Sequence, residues 1–413
     1  MTSQASIRRL VRIVATAALI AGAGAAPGAE PAGAAVESEP TLQYSDFGAL
    51  PPATGTGYKV DAKVPVSGYL GQFTVHTDSG DLKADGTGLL KQRIHEVAAT
   101  LELQKMSKSS VFADAVGKSI EDTGKSVGRA VAHPVDTVAG VPAGVGRLFT
   151  SIGKGVNSAV SSSGKGDTTG AAKEALGVNE AKRQLAKNVG VDPYTTNPQL
   201  SARLEELAEA AVAGGISLDV LTTLATAGVA TAISATATVS NLAWDLPPED
   251  IRERNDKDLT AMTVDEGTRK KLLDNRWFTP TMALSFVEAL KGLGVRDGAN
   301  ALAALAATST NEAEARFFIT QLRMAQSYAK GGDAIVSLLV IDKTGAFRTA
   351  SGALFIPAPV DYLSWTEVTK DFVDRKEIAA GKRTVWFTGK TSPTAAANLR
   401  AKGWNVREQV AQD

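Results

Sequence analysis

The sequence predicts a predominantly α-helical, multi-domain protein with a small N-terminal β–α piece, a central helical region and a C-terminal α+β domain that ends in a βαβ-like unit. The chain has 413 residues, which is long enough for two or three domains with their own cores. Apolar residues recur at helical spacing over much of the first half, whereas all 5 tryptophans lie at or after Trp244. The C-terminal part is therefore the predicted compact core.

The composition excludes several classes of protein. There is no cysteine, which excludes a disulfide scaffold, a thiol nucleophile and a cysteine-ligated metal. The 44 basic residues balance 44 acidic ones, so the composition gives no reason to expect a nucleic-acid partner. None of His76, His95 and His133 has a second histidine four residues further on, which argues against a helical zinc motif. We therefore predict no metal and no cofactor, and a calcium site made of carboxylates stays open as the alternative.

Residues 1–25 have the features of a signal peptide. Three arginines precede an uncharged apolar run that is too short to span about 30 Å of hydrocarbon comfortably, and small residues follow it. Ala23-Gly24-Ala25 fits a cleavage site, and residues 32–34 are a second candidate. We expect a bacterial envelope protein that is periplasmic or secreted after cleavage, and both general secretion and twin-arginine export stay open.

The N-terminal half is predicted to begin with little regular structure. Residues 26–56 are rich in Ala, Gly, Pro and Glu and are expected to form a flexible leader. Residues 57–165 are expected to combine a β–α piece with glycine-rich amphipathic helices. Loose alternation over 58–77 predicts strands, and an apolar stripe predicts a helix over about 87–105.

The glycine-rich stretch carries an apolar stripe with an eleven-residue period. That period equals about 3.67 residues per turn, close to a straight α-helix, so the stripe stays on one face. Because basic residues lie beside it, we interpret the stripe as a surface that faces a membrane or a protein partner. The alternative is packing against the protein's own helices. The stripe consists of Val116, Ile120, Val127, Val131, Val138, Val145, Phe149, Ile152 and Val156.

The middle of the chain, residues 166–245, is predicted to be helical. Asn197 and Pro198 are typical of an N-cap followed by the first residue of a helix. Residues 220–244 are uncharged and long enough to span a membrane, but acidic flanks and many threonines favour a buried helix or hairpin. Residues 246–262 are charged and contain proline, so we expect a linker there.

Residues 263–413 are predicted to form the α+β domain. Helices are expected near 280–292, 297–307, 311–329 and 365–379, and strands near 334–341, 346–356, 384–388 and 404–408. Capping boxes are expected at Thr263…Glu266, Ser309…Glu312 and Ser364…Glu367.

One loop of this domain is a candidate anion site. Gly389, Lys390, Thr391 and Ser392 combine a glycine, a cation and two hydroxyls at a predicted helix N-terminus, where free N–H groups favour an anion. The glycine that a complete P-loop requires earlier is absent, because position 384 is threonine. The alternative is that Ser392 merely caps the helix.

Catalytic motifs are present only in unfavourable surroundings. Ser151…Lys154, Ser309…Asn311 and Lys343-Thr344-Gly345 follow the order found in penicillin-binding proteins and serine β-lactamases. However, Ser151 lies in the glycine-rich stretch and Lys343 in an expected hairpin turn. The G-x-S-x-G match at 124–128 has no strand before it, which that motif requires.

These observations favour an exported cell-envelope protein that is not an enzyme and that associates through amphipathic helices with a membrane surface or an envelope protein. The alternative is a periplasmic enzyme or anion-binding module centred on the C-terminal domain. A third hypothesis is an effector that inserts into a membrane.

Overall fold

The computed structural model describes residues 35–108, 168–214, 236–379 and 381–411. Of these residues, 50% are helical and 20% lie in strands. The protein is therefore a mixed α+β protein, and the prediction of a predominantly α-helical fold is wrong. The error has a physical source. Short strands separated by turns leave little periodicity in a sequence, whereas alanine-rich helices leave a strong one.

The N-terminal part is an antiparallel sheet covered by one long helix. Its strands are β1 (Thr41–Gln43), β2 (Thr54–Gly55), β3 (Tyr58–Val60), β4 (Lys63–Ser67), β5 (Leu70–Thr77) and β6 (Gly80–Asp85), and a 3₁₀ turn covers Tyr44–Phe47. Strand β5 is central and pairs with β3, β4 and β6. Helix α1 (Thr87–Ser107) packs on β5 and β6, where Phe73, Val75 and Leu90 form the core. Strands β1 and β2 lie within the range expected to be a flexible leader, so part of that range belongs to this sheet.

The described residues of the middle of the chain form three helices. They are α2 (Thr168–Asn188), α3 (Pro198–Ala213) and α4 (Ala237–Asp245). Asn197 caps α3 by accepting hydrogen bonds from the backbone N–H groups of Gln199 and Leu200, and Pro198 is the first helical residue. This cap is confirmed. Leucines of α2 and α3 pack against the second half of α1 in one apolar cluster.

The range predicted as a charged linker forms helix α5 (Pro248–Ala261) instead. Its apolar residues Ile251 and Leu259 are eight positions apart, so they share one face, and that face is buried. The charged residues between them are exposed or partly exposed, which explains why the sequence resembled a linker.

The C-terminal part contains the remaining elements. Its helices are α6 (Glu266–Leu273), α7 (Pro280–Gly292), α8 (Ala299–Ala306), α9 (Glu312–Lys330), α10 (Glu367–Val373) and α11 (Pro393–Ala401), and a 3₁₀ turn covers Lys376–Ile378. Its strands are β7 (Ile335–Ile341), β8 (Thr344–Thr349), β9 (Leu354–Ala358), β10 (Tyr362–Leu363), β11 (Arg383–Phe387), β12 (Lys390–Thr391) and β13 (Trp404–Arg407).

Five of these strands form a sheet that is buried on both faces. The order is β13-β11-β9-β8-β7, in which β9, β11 and β13 are parallel and β7 and β8 are antiparallel to their neighbours. One face packs on α7, α8 and α9, through residues such as Leu338 and Phe355. The other face packs on α10 and α11, through residues such as Ile356 and Val385. The parallel strands therefore end together at one edge of this three-layer arrangement.

Candidate functional site

A cavity of about 570 Å³ lies at the edge where the parallel strands end. Pro359 and Asp361 follow β9, Gly389 and Lys390 follow β11, and Val410 follows β13, and all five line the cavity. Ligands of open α/β sheets bind in the crevice at the carboxyl ends of the strands. We call this cavity the strand-end cleft.

The other walls of the strand-end cleft come from distant parts of the chain. Helix α9 contributes one face, and the start of α1, the start of α7 and the segment after the first 3₁₀ turn close the remaining sides. Gly389 has no room for a side chain, because a Cβ atom there would overlap the carbonyl group of Asp361. The backbones after β9 and β11 therefore approach each other closely at the cleft wall, where the Gly389 N–H donates to the Val360 carbonyl over 2.8 Å.

Two arginines of α9 line the cleft. Arg316 donates through Nε to Glu312 Oε1 over 2.8 Å and through Nη2 to Gln92 Oε1 over 2.7 Å. Arg323 lies seven residues further on, on the same face of the helix. Burial and the neighbouring charge of Arg316 lower the pKa of Arg323 to about 10. An anion in the cleft would relieve this repulsion between like charges.

Two lysines approach the cleft from other elements. Lys91 lies on the second turn of α1, and its side chain is exposed. Lys390 follows β11, and its Nζ donates to the carbonyl oxygen of Asp46 over 2.7 Å. The cleft therefore receives cationic side chains from three sides.

Three carboxyl groups also line the cleft. Asp192 accepts a hydrogen bond from Thr281 Oγ1 over 2.6 Å and one from the Tyr194 N–H over 2.9 Å, and burial raises its pKa to about 6. Asp361 is buried, and burial raises its pKa too. Asp85 lines the cleft, and partial burial together with the charge of Glu312 raises its pKa. The site thus contains groups of both signs.

Behind the cleft, a buried ion network fixes Arg316. Arg93 donates to Glu96 over 2.8 Å and to Glu312 over 2.9 Å. Glu312 also accepts from Thr196 Oγ1 over 2.6 Å and from Arg316. Burial opposes ionisation of Glu312, but Arg316 and Arg93 outweigh it and hold the pKa at about 2. Because two cations balance two anions, the network holds the Arg316 side chain in place.

Only the first two residues of the predicted anion loop line the cleft, and the other two form hydrogen bonds with carboxylates of the chain. Gly389 and Lys390 line the strand-end cleft. Thr391 donates its hydroxyl to Glu408, and Ser392 donates its hydroxyl to Glu37 while capping α11 through the Ala395 N–H. Hydrogen bonds from Ser392 and Trp365 outweigh burial and lower the pKa of Glu37. A carboxylate of the chain itself therefore lies at this helix N-terminus, and the binding role of the loop stays a prediction.

The structure describes only some of the other predicted residues. The whole apolar stripe, from Val116 to Phe149 and Val156, lies outside the described residues, and so does Ser151 of the acyl-transfer set. Ser309 donates its hydroxyl to the Ala306 carbonyl over 2.7 Å and is buried. That bond occupies the hydroxyl proton in the turn before α9.

Sequence reasoning missed the arginine pair and the three aspartates. Arg316 and Arg323 could have been found, because seven residues on a predicted helix place two side chains on one face. Asp361 and Asp192 could not, because each follows an apolar segment and reaches the cleft only through the arrangement of distant elements.

No family model, curated protein or solved structure matches this chain. Within the described ranges, no helix is both long and apolar enough to cross a membrane. Across the same ranges, no group of three or more His, Asp or Glu side chains could hold a metal ion.

Proposed function

We propose that the strand-end cleft binds a small anionic ligand and that the protein acts as a ligand-binding module. The observation that carries this proposal is the pair Arg316 and Arg323, which line one wall of a cavity at the carboxyl ends of three parallel strands. Guanidinium groups bind carboxylates and phosphates through charge-assisted hydrogen bonds, which give both affinity and orientation.

The surroundings of the two arginines support this proposal. The buried ion network holds Arg316 in place before a ligand arrives, so little side-chain entropy is lost on binding. Lys91 and Lys390 add positive charge from the facing walls. A volume of about 570 Å³ lies within the range of small-molecule sites.

Calorimetric titration with inorganic phosphate, acetate and succinate tests the proposal. We expect at least one of these anions to bind, and we expect Arg323→Gln to weaken that binding by about tenfold or more, since a charged hydrogen-bonding partner is lost. Arg323→Lys keeps the charge and loses the planar fork, so its affinity should lie between the two.

Arg296→Gln is the matched control, because Arg296 is exposed and does not line the cleft. This variant should bind like the wild type. If no anion binds, or if Arg323→Gln and Arg296→Gln bind equally well, the proposal is wrong. A thermal melt of each variant separates loss of binding from loss of folding.

The hypothesis of helix-mediated association with a membrane or an envelope protein concerns residues 109–167, which lie outside the described residues. It stays a prediction from the sequence and is compatible with ligand binding in the cleft.

A further inference from the structure

The carboxylate of Asp192 is held by the protein through one of its two oxygens. Thr281 Oγ1 donates to Oδ1 over 2.6 Å, and the Tyr194 N–H donates to the same oxygen over 2.9 Å. No described residue donates a hydrogen bond to Oδ2, and Oδ2 is not one of the fully covered polar atoms that lack such a bond. Because Asp192 lines the strand-end cleft, Oδ2 is the oxygen that a ligand there can reach.

The position of this carboxylate is fixed before a ligand arrives. Asp192 is 8% exposed, and Thr281, the second residue of α7, is 3% exposed. The start of α7 and the loop that contains Tyr194 therefore hold Oδ1 from two sides. Acceptors in such covered positions are normally hydrogen-bonded, so a ligand that donates to Oδ2 gains affinity.

Arg316 offers a complementary group in the same cleft. Its Nε donates to Glu312 over 2.8 Å, and its Nη2 donates to Gln92 over 2.7 Å. Neither N–H of its Nη1 is donated to a described residue, and Arg316 lines the cleft as Asp192 does. The cleft thus presents a cationic donor and an acceptor, each held to the protein by its remaining atoms.

The surroundings of Asp192 favour a neutral donor over a cationic one. Arg316 and the buried Lys182 both attract its carboxylate electrostatically. Glu96 repels it, but Glu96 is paired with Arg93 over 2.8 Å. An ammonium group beside Oδ2 would meet the positive charges, whereas a hydroxyl group donates a hydrogen bond and adds no charge.

On the basis of the proposed anion site, we infer that the ligand is a small hydroxylated anion whose anionic group binds Arg316 and whose hydroxyl group donates to Oδ2 of Asp192. This inference deepens the proposed function, because it adds a neutral donor to the anionic ligand and makes Asp192 the residue that selects for it. Its chemical class includes hydroxycarboxylates and hydroxylated phosphate esters, which share this combination of groups.

Two pairs of probes differ only in hydroxyl groups. Malate is succinate with one hydroxyl group, and glycerol 3-phosphate is propyl phosphate with two. The titration is done with the full chain at pH 7.5, where Asp192 is ionised. We expect calorimetry to show that the hydroxylated member of at least one pair binds more tightly by about tenfold or more. The pair that shows this preference identifies the anionic group as carboxylate or phosphate.

Two substitutions test the assignment to Asp192. In Asp192→Ala, the preference should fall to about twofold or less, because no acceptor remains. Asp192→Asn keeps Oδ1 for Thr281 and Tyr194 and replaces Oδ2 by an amide nitrogen. It should therefore fold normally and weaken the preference by about fivefold or more. Thermal melts of both variants separate a change in binding from a loss of folding.

Asp371→Ala is the matched control, because Asp371 is exposed on α10 and does not line the cleft. This variant should keep the full preference. Aspartate, which carries an ammonium group in place of the hydroxyl group of malate, should bind more weakly than malate.

A preference that survives in both Asp192 variants overturns the inference, as does tighter binding of aspartate than of malate. If the anions bind and neither pair shows a preference, the inference is wrong and the anion site stands. If no anion binds at all, both proposals are wrong.

Discussion

Asp192 illustrates how burial and hydrogen bonding compete at a single residue. Its side chain is almost completely covered, and it lines the cleft between α7 and α9. Hydrogen bonds from Thr281 and the Tyr194 backbone favour the ionised form, and so does the charge of Arg316. Burial outweighs all three, and the pKa stands at about 6 in the folded protein.

This pKa makes stability depend on pH. The folded pKa of about 6 lies above the ordinary value of 3.8, so the folded state binds the proton more tightly than the unfolded chain. The contribution of Asp192 to the free energy of unfolding therefore rises as pH falls from about 6 towards 4. In Asp192→Asn, which keeps an acceptor for Thr281, this contribution is removed. Chemical unfolding at pH 4, 5, 6 and 7 measures it as the difference between variant and wild type.

The difference in the free energy of unfolding between Asp192→Asn and the wild type isolates the contribution of Asp192, because other groups titrate equally in both. A difference that stays constant over this pH range would contradict the shifted pKa of Asp192.

At the scale of elements, helix α1 is notable because its N-terminus is capped from a distant strand. Gly86 precedes the helix at φ 95° and has no side chain to offer. The carboxylate of Asp361, which follows β9, accepts from the Thr87 N–H over 3.1 Å and from Thr87 Oγ1 over 2.7 Å. It also accepts from the Gly71 N–H over 2.9 Å. One side chain thus joins β5, α1 and the C-terminal sheet.

Removing that carboxylate should destabilise the protein measurably. We expect Asp361→Ala to lower the free energy of unfolding by about 2–4 kcal/mol, because two buried N–H groups and a hydroxyl lose their acceptor. Urea unfolding measures the change. Asp371→Ala, at an exposed position of α10, should change the free energy of unfolding by less than about 0.5 kcal/mol. Equal effects of the two substitutions would argue against the capping role.

Helix positions were predicted better than helix caps. Helix α7 occupies the predicted range 280–292, and α9 differs from its prediction by one residue at each end. The N-caps are Asp265, Asn311 and Thr366, each two residues after the predicted one. Several residues with capping side chains lie close together in each segment, and the sequence does not show which one adopts extended backbone geometry.

The bounds of strands and turns were also predicted less well than the positions of helices. The single strand predicted over 346–356 is two antiparallel strands, β8 and β9, joined by a turn. The turn consists of residues 350–353 and contains Ser351-Gly352, a pair that is typical of turns and that the prediction passed over. The predicted end of the chain, with β11, α11 and β13, has two parallel neighbouring strands.

At the scale of the whole molecule, the buried ion network joins parts that are far apart in the chain. Arg93 and Glu96 belong to α1, Thr196 precedes α3, and Glu312 and Arg316 begin α9. The long side chains of this network connect α1, the segment before α3 and α9, so the N-terminal part, the central helices and the C-terminal part share one polar core. No sequence pattern indicates this network, because its members are paired only by the tertiary fold.

Glu312→Gln tests the importance of this core. Arg93 and Arg316 would keep their buried charges but lose their shared carboxylate, and we expect a loss of about 3–5 kcal/mol in the free energy of unfolding. Because the folded pKa of about 2 lies below the ordinary 4.5, the stabilisation is complete above pH 4.5 and is lost as pH falls towards 2. Urea unfolding of variant and wild type between pH 3 and 7 measures the difference.

Glu367→Gln is the control, since that carboxylate is 64% exposed and its ion pair with Lys370 is long, at 3.8 Å. A loss of similar size in both variants would show that Glu312 has no special role.

The contact between Asp361 and Thr87 also sets an order of events during synthesis. The two residues are 274 positions apart, so a ribosome adding about 5–20 residues per second leaves α1 without its capping carboxylate for roughly 14–55 s. Glu312 reaches its partner Arg93 only after 219 further residues. The N-terminal sheet and α1 therefore emerge long before the groups that complete them. A newly made chain therefore lacks both contacts until most of it has been translated.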